Sequence, residues 1–371
     1  MEQESNLISK VAIIGAGPAG CTCAYFLQDY VDVTLFDFAK PLRTLLPTGG
    51  GRCNLAHAEY DFKTLAENYP RGQKFLYSIF SKFSTSDTID FFENIGVKTY
   101  IQDDFRIFPI SNSSKDVRSR ILQKLNRVKF EKKLVDNLDF NSYDFIVVAI
   151  GGHSSYSFLK KSGHHIVEPR PALTGLITED NFPQGVSMRN VKSSGFEGDI
   201  IFTHEGISGP LIYKISSINA RKEFPYYIDL DFCGSINLQD LLDKNSHKSI
   251  KNVLSEIVPK SFAEYILQKL NIDFELKSHS VDGKTRDKIL NLLNNYKLKI
   301  IAASKTGEVV TCGGVDLNEI NSKTMESKVV PNLYFCGEVI DVDGFCGGFN
   351  LQNCWSTAYV AANSILEKLG I

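Results

Sequence analysis

Apolar and polar positions follow two different rhythms along this chain, and the change of rhythm divides it. Val11–Ile14 is an unbroken apolar run of strand length. Ala19–Tyr30 carries apolar residues at helical spacing, and Val31–Phe36 alternates up to Asp37. Together they predict a strand–helix–strand opening. Glycine and polar residues dominate Leu45–His57, which predicts a loop. Helical spacing returns over Phe75–Phe83 and over Thr85–Gly96, the latter capped by Ser84 or Thr85. Arg106–Pro109 reads as extended, Lys115–Asn126 as an amphipathic helix and Arg127–Phe140 as strand. Asp144–Ile150 is a continuous apolar run that ends in Gly151-Gly152, the pattern of a central strand covered on both faces. Beyond it, Leu173–Ile207 breaks into short strand-like pieces separated by glycine, proline and asparagine. Ser208–Ala220 reads as helix, Tyr226–Phe232 as strand, Leu238–Tyr296 as several helices and Leu298–Gly307 as strand.

Composition narrows the class. With 41 Lys and Arg against 43 Asp and Glu among 371 residues, the whole molecule is not an electrostatic nucleic-acid binder. One stretch differs: Lys244–Lys305 holds twelve Lys or Arg and six Asp or Glu. It is either a solvated helical face or a contact for an anionic partner such as RNA. The eight cysteines include no Cys-x-x-Cys pair, so neither a zinc knuckle nor a disulfide framework is expected, and no metal. Met1–Lys10 is polar without a basic leader, and three glycines and Pro18 interrupt Val11–Leu27. We therefore expect a cytoplasmic protein with no membrane span.

The chemistry-bearing residues lie at the two ends. Gly15-Ala16-Gly17-Pro18-Ala19-Gly20 follows the first strand and opens the first helix. In such a fingerprint Gly15 makes the tight turn, Gly17 lets a pyrophosphate approach the backbone, and Gly20 lets helix pack on strand. The helix start supplies amides and partial positive charge, and Pro18 is harmless in its first turn. Asp37 follows about 20 residues on, placed to accept the ribose hydroxyls of an adenosine. These features alone do not separate FAD from NAD. Near the C-terminus Gly337 and Glu338 follow another strand, then come Asp343 and Gly347-Gly348-Phe349-Asn350-Leu351. A return to the same domain makes FAD the better choice. Between the two lies Gly49-Gly50-Gly51-Arg52-Cys53-Asn54, a glycine run suited to backbone lying against something flat. Arg52 suits a phosphate or carboxylate, and Asn54 offers donor and acceptor to a flavin edge. Candidate acids and bases are His204, Glu205, His57 and Tyr213, with His204 taken as the catalytic candidate.

These strings resemble the bacterial NAD(P)/FAD-dependent oxidoreductases, a family that includes aminoacetone oxidase and BaiN-type reductases. The resemblance spans nearly the whole chain. It also rests on Ala149-Ile150-Gly151-Gly152, Phe202–Pro210 with its Thr203-His204-Glu205-Gly206-Ile207-Ser208-Gly209-Pro210 string, Thr311–Val315 and Thr324–Ser327. It implies an α/β fold with a Rossmann-like, glutathione-reductase-type FAD domain that is discontinuous, at 1–155 and 308–371. A β-rich lobe (156–236 and 297–307) and a helical lobe (237–296) would be inserted. It implies that Glu338, Asp343 and Gly347–Leu351 lie near the ribityl chain and flavin ring, with Gly151 also at the cofactor. Two departures stand out: His153–Ser157 runs almost directly into the next helix, and Phe345-Cys346 replaces a favoured acidic residue or threonine. The expected activity is an FAD-dependent oxidoreductase, taking hydride from transiently bound NAD(P)H to saturate an activated double bond. The alternatives are a peroxide-forming oxidase of a small amine or aminoketone, and a flavin-dependent RNA-base-modifying or RNA-associated protein.

Overall fold

A computed structural model describes residues 8–304 and 310–371. The expectations for the extreme N-terminus and for the end of the Leu298–Gly307 strand fall outside the described residues. By its internal contacts the chain forms two compact units, 1–170 with 311–371, and 171–310. The segment 156–170, assigned above to an inserted lobe, packs within the first unit.

The first unit is built on a five-stranded parallel sheet in the order Leu333–Phe335, Phe145–Val148, Lys10–Ile14, Asp32–Asp37 and Lys129–Lys132. The two strands predicted from apolar runs sit side by side, with Ile13 opposite Val147 on one flank and Leu35 on the other. All three residues are fully buried, which is why their strands are apolar without alternation. The first helix runs over Pro18–Leu27 and ends earlier than predicted, because Asp29 and Tyr30 turn outward to water. It packs against the C-terminal helix Phe349–Leu369, which buries Trp355 completely. Of the expected strand Arg127–Phe140, only Lys129–Lys132 forms. This strand pairs on one side only, and beyond it Leu134 is 70% exposed, so no second partner extends the ladder.

Ser84 closes a capping box with Asp87 at the start of helix Thr85–Asn94, as the pattern predicts. The stretch Leu45–His57 is not wholly loop: it holds a short helical turn at Thr48–Gly51 and a two-residue strand, Ala56–His57. That strand joins Arg106–Pro109 and Thr99–Ile101 in a small antiparallel sheet.

The second unit holds a six-stranded antiparallel sheet, with helices from Pro210–Ile218 to Gly283–Asn294. Its helices do not form a core of their own. Phe262, Ile266 and Leu293 share one buried cluster with Phe202, Ile228 and Leu298 of the sheet.

Candidate functional site

The N-terminal turn has the geometry of a dinucleotide cradle. Gly15 adopts φ +108°, and a Cβ there would stand 2.3 Å from the Ala149 carbonyl. A Cβ on Gly20 would lie 1.9 Å from the Gly15 carbonyl. Both glycines are demanded by the fold. Gly17 is not: its φ is −78°, and a Cβ would meet only Thr44 Oγ1, at 3.6 Å. The helix it opens has no side-chain cap, and Pro18 removes one donor, leaving the amides of Ala19 and Gly20 directed beyond its start. Asp37 braces the turn by accepting from the amides of Ala16 and Ala39, each at 2.8 Å. Its carboxylate retains acceptor capacity for ribose hydroxyls. Asp37 also lines a cleft of about 310 Å³ with Gly15, Phe38, Ile150, Ser154 and Ser155. Beside this cleft Gly151 is left-handed and has open space where a Cβ would point. A backbone-lined cleft, a glycine that folding does not require and an acid at the second strand end fit the adenosine and pyrophosphate of FAD.

The tertiary structure joins the glycine-rich segments that the sequence keeps hundreds of residues apart. The site that a Cβ of Gly337 would occupy lies 2.7 Å from Ala19 Cβ, so the C-terminal return meets the first helix. The Asn54 amide donates to the carbonyls of Ala56 (3.0 Å) and Ile107 (3.2 Å) and accepts from the amide of Gly348 (3.0 Å). His57 Nδ1 donates to the Gly347 carbonyl at 3.2 Å while its ring packs on Phe349 at 4.6 Å. Tyr69 Oη donates to the Phe349 carbonyl at 2.5 Å. The Gly344–Leu351 turn is thus stitched to the Gly49–His57 segment.

Several predicted flavin contacts are engaged in this stitching. Asn54 is committed to backbone groups. Asn350 clamps Gly344 through both ends of its amide, at 2.8 and 2.9 Å. Asp343 is fully buried, and Arg71 binds both of its oxygens. Leu351 is half-buried at the start of the C-terminal helix. Gly50 and Gly51 are left-handed, and Gly50 faces open space. Arg52 lies 4.2 Å over the buried ring of Phe108. Cys53 is fully buried, and burial pushes its thiol up to about 12, so it is not a thiolate nucleophile at neutral pH. Arg71 and Tyr69 escaped the sequence reading. A single arginine between Pro70 and Gly72 gives no sign that its partner lies 272 residues away.

Glu338 is a carboxyl strongly altered by this environment. Dense packing around its carboxyl, and then the negative Asp343, raise it from the ordinary 4.5 to about 7. Burial also lowers His57, against the opposing pull of the Gly347 carbonyl, Asp104 and Glu59. Its imidazole is therefore held neutral, with Nδ1–H fixed on the carbonyl.

The second unit carries the remaining candidates. His204 stands on the turn between strands Phe196–Phe202 and Gly206–Ser208, 72% exposed at its side chain and 3.7 Å from Glu205. Glu205 also accepts from Ser304 at 3.3 Å, and Tyr213 contacts Ser208 at 3.2 Å. In the basic stretch Lys248, Lys251, Lys269, Arg286 and Lys299 hold carboxylate partners. For Lys269 and Lys299 these are Asp180 and Glu179, outside the stretch, which reduces its local excess. Among the described residues no cluster of His, Cys, Asp and Glu suits a metal, and no helix is long and apolar enough to cross a membrane.

The parallel sheet, the glycine cradle and the C-terminal return define an FAD-dependent oxidoreductase built on a Rossmann domain. The chain belongs to the HI0933-like protein Rossmann domain family, whose profile matches residues 9–364. It is 29% identical to the ribosomal RNA dihydrouridine synthase of Escherichia coli (strain K12), over 95% of this chain and 97% of that protein. Identity to the protein of the same name from Haemophilus influenzae is 27%, over 97% and 99% of the two chains. The 3-dehydro-bile acid delta(4,6)-reductase of Clostridium scindens is 24% identical, over 97% and 100%.

Proposed function

We propose that this protein is an NAD(P)H-driven flavin reductase of activated carbon–carbon double bonds, acting on the C5–C6 bond of a uridine in ribosomal RNA. The observation that carries the reading is a common chemistry among relatives that match from end to end. Two are named for making dihydrouridine in ribosomal RNA, and the third for reducing delta(4,6) positions of a 3-dehydro bile acid. A uracil C5–C6 bond and an unsaturated bond conjugated to a 3-oxo group are both polarised by a carbonyl. Both are therefore open to hydride at the far carbon and a proton at the near one.

When bound and reduced, FAD supplies the hydride. The chain's own residues hold it: the amides after Gly17 and the Asp37 carboxylate would take its pyrophosphate and ribose, and Glu338 would meet the ribityl hydroxyls. The stitched Gly344–Leu351 turn presents the start of the C-terminal helix, whose dipole favours negative charge on a reduced ring. Overall, one uracil, one NAD(P)H and one proton give 5,6-dihydrouracil and NAD(P)+. A ribosomal RNA substrate also implies work in the cytoplasm.

The test has two stages. NADH or NADPH added without oxygen should bleach the bound flavin. Unmodified ribosomal RNA then incubated with protein and NAD(P)H should gain two hydrogens at one uridine, read by mass spectrometry of nuclease fragments. A flavin that neither nucleotide reduces, or RNA whose uridines keep their mass, refutes the proposal. Peroxide formed from a small amine or aminoketone would point to an oxidase instead.

A further inference from the structure

We infer that a groove between helices Pro18–Leu27, Thr85–Asn94 and Phe349–Leu369 seats the guanidinium of an arginine from a basic polypeptide partner. None of its lining residues belongs to the FAD cradle or takes part in the reaction proposed above.

The groove holds about 200 Å³ and has five aromatic walls: Tyr25, Phe26, Phe83, Phe91 and Tyr359. That volume falls below the roughly 300–1,000 Å³ of small-molecule sites, so it suits one side chain rather than a whole metabolite. Tyr25 meets Phe91 edge-on at 5.2 Å and 75°, and Phe26 meets Tyr359 at 5.1 Å and 83°. Such contacts lock the rings as preformed walls set at angles to one another. Tyr25, Phe26 and Tyr359 are only half-buried, so ring surface stays accessible.

Charge decides what fits there. Asp87 and Asp90 line the same groove, and no Lys or Arg does. Asp90 has no hydrogen-bond or ion-pair partner among the described residues, and Asp87 accepts from Ser84 through Oδ2. The three helices carry Asp87, Asp90, Glu93 and Glu367 against one base, Lys368, which pairs with Glu326. Bases that approach from outside are engaged as well. Lys82, beside Phe83, donates to the Lys323 carbonyl at 3.0 Å, and Arg120, near Gly96, pairs with Asp116 at 3.6 Å. Elsewhere the protein lays its own cations over accessible rings, as Lys214 over Phe196 and Lys297 over Tyr227. Among the described residues no cation lies over the five rings of the groove. Ring faces beside an unpaired carboxylate fit a guanidinium, which stacks on an aromatic and pairs with a carboxylate. An ammonium is more strongly hydrated and loses more on leaving water.

The experiment uses the FAD-loaded full chain and acetyl-arginine amide, with acetyl-norleucine amide and choline for comparison, and reads affinity by saturation-transfer NMR titration. The arginine probe should bind, and the uncharged norleucine probe should not. Tyr25→Leu should weaken the arginine probe about 2- to 30-fold, the range for one cation–π contact. Asp90→Asn should weaken it about 1.5- to 5-fold, the range for an exposed ion pair. Unchanged flavin absorbance shows that the fold is kept, and the exposed Asp90→Asn carries the test should Tyr25→Leu lose its flavin. An arginine probe that does not bind, or that binds Asp90→Asn like the parent, overturns the inference. Preference for choline would make the groove an ammonium site, and preference for norleucine an apolar one; either overturns it. So does a parent that sediments as a dimer when Tyr25→Leu sediments as a monomer, because a second copy then covers the groove. Dihydrouridine formation is read separately, so failure here leaves the functional reading standing.

Discussion

Replacing Gly17 by alanine should remove the flavin and leave the fold. Its backbone angles suit any residue, and a new methyl would touch only the end of Thr44. In the apo-protein, alanine loses the preference of the helix cap for glycine, at most about 1 kcal/mol. It regains about 0.4–1 kcal/mol by restricting the unfolded chain. The net change should stay within about 1 kcal/mol. For the cofactor, the methyl keeps a pyrophosphate from the amides that open the first helix. Each hydrogen bond to a charged group contributes about 1.5–3 kcal/mol. Losing two weakens FAD by about 3–6 kcal/mol, roughly 10²- to 10⁴-fold. Gly20→Ala is the contrast, because its methyl collides with the Gly15 carbonyl. That variant should lose about 3 kcal/mol or more of stability, from overpacking against backbone. Urea unfolding of the apo-proteins, followed by the fluorescence of Trp355, the single tryptophan, gives the stabilities; FAD titration gives the affinities. The reasoning is refuted if Gly17→Ala binds FAD like the parent, or if its apo-form is destabilised as far as Gly20→Ala.

Other consequences can be measured in the same way. Arg71→Met removes the bidentate cation from the fully buried Asp343 carboxylate and should cost about 3–5 kcal/mol in urea unfolding, most of it recovered in Arg71→Met/Asp343→Leu. Glu338 holds its proton more tightly folded than unfolded. Its contribution to apo-protein stability is therefore full below about pH 4.5 and is lost as pH rises through about 7, by up to about 3 kcal/mol. The difference between parent and Glu338→Gln across that window should show this loss, and a pH-independent difference would contradict it. Cys346, the exposed thiol, should react first with a chromogenic disulfide reagent, well ahead of buried Cys21, Cys53 and Cys354. Prompt labelling that persists in Cys346→Ser/Cys233→Ser, which also lacks the half-buried thiol, would show that a supposedly buried thiol is open.

What was legible in the sequence was local. The strand–turn–helix–strand opening occupies one short stretch, and its residues fix one another through neighbouring backbone. Gly15 must turn, Gly20 must let the helix approach, and Asp37 must end the second strand within reach of Ala16. The buried apolar run at Phe145–Val148 was equally plain, because both of its faces are covered. The strand Ala56–His57 was not visible, since two residues among glycines carry no periodicity. Neither was the shared core of the second unit, where helices and sheet each showed only their own apolar face.

The sequence by itself determined that this chain carries a dinucleotide cradle and returns to it at its end, because glycine spacing and strand-length apolar runs are short-range constraints. Only the tertiary structure decided which side chains hold the loops and which are left for a ligand. Asn54, Asn350 and Asp343, all expected at the cofactor, also brace the Gly344–Leu351 turn from within the protein. Of the three fingerprint glycines, Gly15 and Gly20 are demanded by the fold and Gly17 is not. A buried polar group must find a partner wherever the fold brings one, and Arg71 reaches Asp343 across 272 residues that no local pattern spans.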